Sequence, residues 1–191
     1  MKDFVNKQDS LGLSQMNLGC PIIIKNNIYN DNRGYFYESF NENVNLITKE
    51  LFVQDNVSYS KKGVIRGMHY QWDNPMGKLV SCVYGEINDF VVDIRKNSEN
   101  LGKVYKYNLV SSKGQSLWVP AGFAHGFEAL SEEAVVSYKC TSYYNKDGES
   151  GINPFDTDLT IPWETSIDNP IISQKDLRSQ SFNEYLKDPK F

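Results

Sequence analysis

The amino-acid sequence predicts an all-β protein, arranged as a sandwich, barrel or jelly roll. Twelve tyrosines and ten phenylalanines, together with many Val and Ile residues, favour strands over helices. Short strand-like runs are separated by Gly, Asn, Ser and Lys turns along most of the chain. Beginning with residues 21–25, we expect strands at residues 34–40, 51–60, 64–70, 78–84, 87–95, 104–110, 116–119 and 134–141.

Two segments have the features of helices. Residues 41–49 begin with Asn41, a residue type that commonly caps helices. A second helical segment begins at Ser173 and carries the apolar residues Leu177, Phe182 and Tyr185. We therefore expect a few short peripheral helices beside the strands.

The length of the chain, 191 residues, fits one domain with ample sequence for a core. The first residues are polar and show no periodicity. We expect a single domain at residues 18–191 and an N-terminal arm at residues 1–17 that carries no chemistry.

Charge and cysteine content exclude several kinds of protein. A net charge of −4 and a pI near 5.2 argue against a nucleic-acid surface, which requires a basic patch. Three cysteines without a Cys-x-x-Cys spacing, Cys20, Cys82 and Cys140, indicate neither a disulfide framework nor a zinc knuckle. The sequence shows no signal-peptide segment and no apolar run long enough to span a bilayer. We expect a soluble cytoplasmic protein without a nucleic-acid or membrane partner.

The chain has only two histidines, His69 and His125, and both lie among glycines and aromatic residues in strand-like sequence. Strict alternation places His69 and Arg66 on opposite faces of one strand, so sharing a cavity requires a bulge, which we expect at Gly67. A histidine in a partly dry cavity is a natural general base. A core histidine satisfied by hydrogen bonds is about equally common.

The sequence lacks the motifs of metal sites, of nucleophilic catalysis and of phosphate-binding loops. A metal site of the His-x-His kind is improbable with two histidines so far apart, and no nucleophile motif or phosphate-binding glycine loop occurs. Acid–base chemistry remains. Alternation places Tyr138 on an apolar, inward face, where it can donate a proton or simply pack in the core. Asp176 follows Ser173 with the spacing of a helix capping box, which gives it a purely structural alternative role.

The sequence resembles one known family through nine motifs in a fixed order. They are RGYFYE at residues 33–38, QDN at 54–56, RGMHYQ at 66–71, GKLV at 77–80, VVDIR at 91–95, WVPAGFAHGF at 118–127, YKCT at 138–141, ESGI at 149–152 and SQKD at 173–176. This set is similar to that of the dTDP-4-dehydrorhamnose 3,5-epimerases of the cupin superfamily. It extends from about Cys20 to Asp176 and is far more specific than any single motif.

The resemblance implies a cupin-type jelly roll, also called a double-stranded β-helix, and a homodimer that exchanges strands. It implies no metal and no organic cofactor. The implied reaction is epimerisation of a nucleotide-linked substrate, dTDP-4-keto-6-deoxyglucose, at C3 and C5.

The resemblance also implies residue roles. His69 is the expected base, Tyr138 the acid on the opposite face of the sugar, and Asp176 the residue that orients His69. Lys78, with help from Arg66, is expected to stabilise the enolate oxygen. The residues expected to bind nucleotide and sugar are Arg33, Glu38, Gln54, Asn56, Arg66, His125, Glu149 and Lys175; Arg33 and Lys175 would meet the diphosphate.

Two departures from the family pattern keep alternatives open. The N-terminal arm is longer than usual, and residues 72–77 differ just before Lys78. An epimerase acting at C3 alone, or one for a GDP- or UDP-linked hexose or heptose, would use the same base and acid. A non-catalytic cupin that binds a sugar nucleotide is a further alternative, although binding alone does not require a base and an acid.

Overall fold

The computed structural model describes residues 19–165 and 170–191, and most of the ordered backbone there is strand. The strands are β1 (Ile22–Lys25), β2 (Tyr29–Asp31), β3 (Gly34–Phe36), β4 (Gln54–Lys61), β5 (Ile65–Gln71), β6 (Lys78–Tyr84), β7 (Glu86–Asp93), β8 (Val104–Val110), β9 (Gln115–Val119), β10 (Phe123–Ala129), β11 (Glu133–Cys140) and β12 (Glu149–Gly151). The helices are α1 (Glu42–Thr48), α2 (Gln174–Leu177) and α3 (Phe182–Tyr185), and a 3-10 turn lies at Ser111–Lys113. The predicted arm at residues 1–17 lies outside the described residues.

The strands form two five-stranded antiparallel sheets, with a separate hairpin made by β2 and β3. The first sheet has the order β1-β9-β6-β11-β4, and the second has the order β12-β5-β10-β7-β8. Strands that are neighbours in a sheet are mostly distant in sequence, which is typical of a jelly roll. The all-β, cupin-type jelly roll predicted from the sequence is confirmed.

The main hydrophobic core fills the space between the two sheets. Val80, Leu117 and Val136 enter it from the first sheet, and Val91 and Phe127 enter it from the second. Burial of such side chains stabilises the fold by about 25 cal/mol per Å² of apolar surface. Because Val136 and Phe127 also line the cavity described below, this core forms one of its walls.

A second core cluster lies on the outer side of the second sheet, where the C-terminal segment packs. Tyr70 and Phe90 of that sheet meet Phe182 and Tyr185 of the C-terminal segment. The Tyr185 hydroxyl donates a 2.6 Å hydrogen bond to the carbonyl of Ile94. This packing fixes the segment that carries Asp176 against the sheet.

The predicted helix at residues 41–49 is confirmed as α1. Its N-cap residue, Asn41, accepts a hydrogen bond from the backbone N–H of Asn43 at 3.0 Å. The helix ends at Lys49, whose backbone is in the left-handed conformation. The second predicted helical segment forms two short helices, capped by Ser173 and Ser181.

The strand predictions differ from the structure at several places, among them β4, which begins at Gln54 rather than at residue 51. Residues 37–40 do not continue β3, because Phe40 packs edge-on against Phe52, at 5.6 Å between ring centroids, in a third core cluster. Strands β2, β10 and β12 are absent from the predicted set. All seven residues of β10 are buried. A strand buried on both faces lacks the alternation of polar and apolar residues that identifies a half-exposed strand.

No helix in the described ranges is long and apolar enough to cross a membrane. The three cysteines are free thiols.

Candidate active site

A cavity of about 550 Å³ lies between the two sheets. Ten of the twelve predicted site residues line it: Gln54, Asn56, Arg66, His69, Lys78, His125, Tyr138, Glu149, Lys175 and Asp176. A volume of this size fits a small-molecule ligand site.

The first wall of the cavity is built by neighbouring strands of the first sheet. Cross-strand pairing places Asn56 of β4 opposite Tyr138 of β11, and Cys140 of β11 opposite both Gln54 and Lys78. Residues opposite each other in register project to the same face of a sheet. The predicted inward face of β11 is therefore confirmed, and it brings a phenol and an ammonium group to one wall.

The second wall is built by β5 and β10, on which His69 and His125 are direct cross-strand partners. Between the pairs His69–His125 and Arg66–Phe127, β5 has one residue more than β10, which is a β-bulge. The predicted bulge beside Gly67 is confirmed, and both Arg66 and His69 line the cavity because of it.

Gly67 is required at this bulge. Its φ of +126° disfavours any residue with a side chain. A Cβ built there would lie 2.6 Å from the Cα of Gly126 and 2.9 Å from the carbonyl oxygen of His125. The close approach of the two strands thus depends on glycine.

His69 and Asp176 form a histidine–carboxylate pair. The Nε2 atom of His69 lies 2.8 Å from Oδ1 of Asp176, and Oδ2 accepts a 3.4 Å hydrogen bond from the Gly67 N–H. When the Nε2–H donates to the carboxylate, Nδ1 keeps the lone pair that can accept a proton. Asp176 thereby fixes the tautomer and orientation of the imidazole.

The carboxyl group of Asp176 is held in its ionised form. Burial by itself raises its pKa, but hydrogen bonds, first of all that from His69, bring the pKa below its usual range. The Ser173 hydroxyl caps α2 by accepting from the backbone N–H of Asp176 at 3.0 Å. Because this cap uses the backbone N–H of Asp176, the carboxylate can still accept a hydrogen bond from His69.

Tyr138 is half-buried, and its hydroxyl has no hydrogen-bond partner among the described residues. Burial raises the pKa of this phenol, whereas the positive charge of Arg66 opposes the rise. The phenol therefore stays protonated at neutral pH and has a proton to donate.

Lys78 forms no ion pair within the described part of the chain. Burial lowers the pKa of its ammonium group, and the nearby acidic groups Cys140, Glu149 and Asp89 oppose that effect. Arg66 is held in place by hydrogen bonds from Nε to the Ser60 hydroxyl at 3.0 Å and from Nη2 to the Tyr59 carbonyl at 2.9 Å. The two cations can face an anionic oxygen inside the cavity.

Polar residues of two strands, a loop and α2 are connected at another part of the cavity. Glu149 accepts hydrogen bonds from Lys175 and from the Tyr144 hydroxyl, the latter at 3.1 Å. Burial raises the pKa of Glu149, but the hydrogen bond and the positive charge of Lys175 lower it. The pKa of Glu149 is therefore below its usual value. The side chain of Gln54 joins this group by accepting from the Tyr144 N–H at 2.9 Å.

Arg33 and Glu38 do not reach this cavity. Arg33 lies at the turn between β2 and β3, its side chain is 86% exposed, and it pairs with Asp31 at 2.6 Å. Glu38 accepts a 3.1 Å hydrogen bond from the Asn41 side chain. Within one chain, these two predicted binding residues are separated from the other ten.

Sequence reasoning missed three polar residues of the site. Tyr144 and Ser58 line the cavity. Asp89 does not line it, but its Oδ2 atom lies 2.9 Å from Nε2 of His125, which does. Asp89 had a recognisable signal, since it is an acidic residue directly before the apolar run Phe90–Val92 of β7. Tyr144 and Ser58 had none, because tyrosine and serine are common on any sheet surface.

The fold and the cavity define the class of protein: a cupin-type jelly roll with a histidine–carboxylate pair and a tyrosine on facing walls of an internal site. A sequence model described as dTDP-4-dehydrorhamnose 3,5-epimerase matches residues 16–184. The chain belongs to the dTDP-4-dehydrorhamnose 3,5-epimerase family and is an isomerase.

Individual relatives support this assignment. A dTDP-4-dehydrorhamnose 3,5-epimerase of Methanothermobacter thermautotrophicus is 46% identical over 83% of this chain and 88% of its own. The crystal structure of dTDP-6-deoxy-D-glucose-3,5-epimerase from Legionella pneumophila, in complex with dTDP-4-keto-L-rhamnose, has a TM-score of 0.82 and 41% identity, with 88% of this chain and 90% of that chain covered. A 3'-monoepimerase from Streptomyces bikiniensis, in complex with dTDP-quinovose, has a TM-score of 0.81 and 28% identity, with 87% and 86% covered.

Proposed function

We propose that this protein converts dTDP-4-dehydro-6-deoxyglucose to dTDP-4-dehydrorhamnose by inverting C3 and C5 of the sugar. The observation that carries the proposal is that His69 and Tyr138 line one cavity from opposite sheets. Inversion at carbon requires removal of a proton from one face and delivery of a proton to the other. Family membership supports the identity of the substrate.

The first chemical step is proton removal by His69. The C3 and C5 protons flank the C4 ketone, so when the base takes either proton, the C–H electron pair becomes the C=C bond of an enolate. Negative charge then develops on the C4 oxygen, where Lys78 with Arg66 provides preorganised positive charge. Asp176 stabilises the imidazolium that forms on His69.

The second step is proton delivery by Tyr138. The enolate collapses to the ketone and its carbon takes the phenolic proton from the other face, which inverts the centre. One proton leaves the sugar and one enters it, so its oxidation state does not change. The positive charge of Arg66 favours the phenolate left on Tyr138.

The remaining cavity residues bind and orient the nucleotide sugar. Lys175 meets the diphosphate, and Gln54, Asn56, His125 and Glu149 bind the sugar and base. Local cations of this kind allow an acidic protein to hold an anionic substrate.

Arg33 and Glu38 act in a homodimer. The β2–β3 hairpin exposes Tyr29, Tyr35 and Phe36, which is unfavourable in an isolated chain. An exchanged hairpin would bury these side chains and place Arg33 at the cavity of the partner subunit. Residues 18–191 act as one domain, and the free cysteines favour the reducing cytoplasm as the place of action.

The test is turnover of dTDP-4-keto-6-deoxyglucose in heavy water, with deuterium at C3 and C5 counted by NMR. Deuterium at both carbons with inverted product is the expected result. Label at C3 alone would instead establish a single epimerase. With no label, GDP- and UDP-linked ketosugars are tested next, and failure with all three would favour a binding protein without catalysis.

A further inference from the structure

A chain of three hydrogen bonds connects the two amide side chains of β4 at the cavity. The Tyr144 N–H donates to Oε1 of Gln54 at 2.9 Å, and Nε2 of Gln54 donates to Oδ1 of Asn56 at 3.0 Å. The chain ends where Nδ2 of Asn56 donates to Sγ of Cys140 at 3.5 Å. The first three residues line the cavity, whereas Cys140 does not line it and is 0% exposed. A buried thiol thus contacts a binding residue of the proposed site.

The direction of this hydrogen-bond chain is fixed at its Tyr144 end. A backbone N–H can only donate, so Gln54 turns its carbonyl oxygen to Tyr144 and its NH2 group to Asn56. Asn56 must then turn its own carbonyl oxygen to Gln54, which leaves its NH2 group to meet Cys140. Each amide therefore has one orientation, and the NH2 group of Asn56 keeps a second N–H that these bonds do not use.

The register of the first sheet brings the thiol to this place. Cys140 of β11 lies opposite Gln54 of β4, and Tyr138 of β11 lies opposite Asn56. Residues two positions apart on a strand project to the same face of the sheet. The thiol therefore lies on the cavity face, beside the amide group that is the cross-strand partner of the proposed acid.

A thiol has suitable properties for this position. Burial raises the pKa of Cys140, so the thiol is neutral at physiological pH and adds no negative charge beside an anionic substrate. Its sulfur can still accept a hydrogen bond. Without the sulfur, the bond from Gln54 would be the remaining restraint on the Asn56 amide among the described residues.

We propose that Cys140 is a positioning residue that, through this hydrogen-bond chain, directs the unused N–H of Asn56 toward an oxygen atom of the nucleotide sugar. Cys140 acts through Asn56 and does not touch the ligand. The inference rests on the proposed function for the identity of the ligand, and it deepens that function by assigning an orientation to Asn56 and a role to a buried thiol.

The first test is binding of dTDP-quinovose to the full-length protein, measured by calorimetry. This ligand has no C4 ketone, so it cannot be epimerised. Cys140→Ala removes the acceptor and should weaken binding about 3- to 10-fold, which corresponds to one neutral hydrogen bond. Cys140→Ser differs from it by the hydroxyl alone, which can accept from Asn56, and should restore most of the affinity.

The matched control is Cys82→Ala, which truncates another buried thiol of the same sheet. Cys82 is 2% exposed, does not line the cavity and donates to the Tyr84 carbonyl at 3.2 Å. Its variant should bind dTDP-quinovose as the wild type does. Unchanged affinity in folded Cys140→Ala, an equal loss in Cys82→Ala, or no recovery in Cys140→Ser would each overturn the proposal.

A measurement on the wild type covers the case in which Cys140→Ala does not fold. Exchange of side-chain NH2 protons with water, followed by ¹⁵N-resolved NMR without ligand, should be slower for Asn56 than for the exposed Asn43. Equal exchange would contradict a held amide.

These readouts do not use turnover. A protein that binds dTDP-quinovose with the expected pattern but does not epimerise the dTDP sugar would refute the proposed function and leave the role of Cys140 intact. Absence of dTDP-quinovose binding by the wild type would overturn both.

Discussion

His69 on β5 and Tyr138 on β11 face one cavity from opposite sheets of the sandwich. Each is fixed by its neighbours in register, His69 by His125 and Tyr138 by Asn56 and Val80. A flat ring placed between the sheets would be reached from both of its faces. The separate roles of the two residues can therefore be tested one at a time.

Replacement of the base should abolish chemistry but not binding. We expect His69→Ala to lower kcat by a factor of about 10²–10⁴, because a positioned general base contributes about that much. Binding of dTDP, measured by calorimetry, should change little. The exposed Lys62→Ala variant, which loses only a surface pair with Glu132, is the control. Wild-type turnover by His69→Ala would exclude His69 as the base.

Replacement of the acid should separate exchange from inversion. In Tyr138→Phe, His69 can still remove a proton and return one to the same face, so deuterium should enter the substrate without inverted product. NMR in heavy water measures both. Tyr105→Phe, which alters a tyrosine packed on the same core cluster as Tyr138 but outside the cavity, should behave as wild type. Normal inversion by Tyr138→Phe would refute the assignment.

The His69–Asp176 pair should make stability depend on acid pH. Since the folded-state pKa of Asp176 is below its ordinary value of about 3.9, its contribution is complete above that value and is lost as the pH falls through the folded pKa. Asp176→Asn should cost about 2 kcal/mol of unfolding free energy at pH 7, and the difference from wild type should shrink below about pH 4. Urea unfolding from pH 7 to pH 3 measures it. The exposed Glu132→Gln variant should differ little from wild type at pH 7, and a constant difference for Asp176→Asn would contradict the prediction.

Two glycines with similar backbone angles should respond differently to alanine. Gly67 has a φ of +126° and lies against Gly126, whereas Gly34 has a φ of +136° and nothing within 4 Å of a built Cβ. Gly34→Ala should cost about 1 kcal/mol for its backbone conformation alone. Gly67→Ala should cost about 3 kcal/mol or more, because the strands must also separate. Denaturant unfolding compares the two, and equal losses would show that the close approach is not needed.

The position of Arg33 allows a complementation test of the homodimer. Arg33→Ala should raise KM and His69→Ala should lower kcat when each is made alone. Mixed dimers, isolated through two affinity tags, should regain one intact cavity, since His69 of one chain would meet Arg33 of the other. If Arg33 served its own chain, both cavities of the mixed dimer would stay impaired. Inactive mixed dimers would thus contradict the exchange.

Much of the fold could be predicted because it depends on neighbours in sequence. Alternation and turn residues located seven of the strands to within two residues, and the cap at Asn41 located α1. The predictions were wrong at residues 37–40, where Phe40 packs against Phe52. They also omitted β2, β12 and β10, and in β10 burial on both faces removes the alternation. At residues 37–40 and in β10, tertiary packing overrides the local pattern.

The sequence by itself determined the residue types available for chemistry, the bulge at Gly67, the inward face of Tyr138 and membership of the family. Only the tertiary structure decided which of these groups meet. The contact of His69 with Asp176 joins residues 107 positions apart, and the contact of His125 with Asp89 joins residues 36 positions apart. The tertiary structure also placed Arg33 and Glu38 outside the cavity of their own chain. The physical reason is that local propensity acts over a few residues, whereas a site between two sheets is fixed by how distant strands pair and stack.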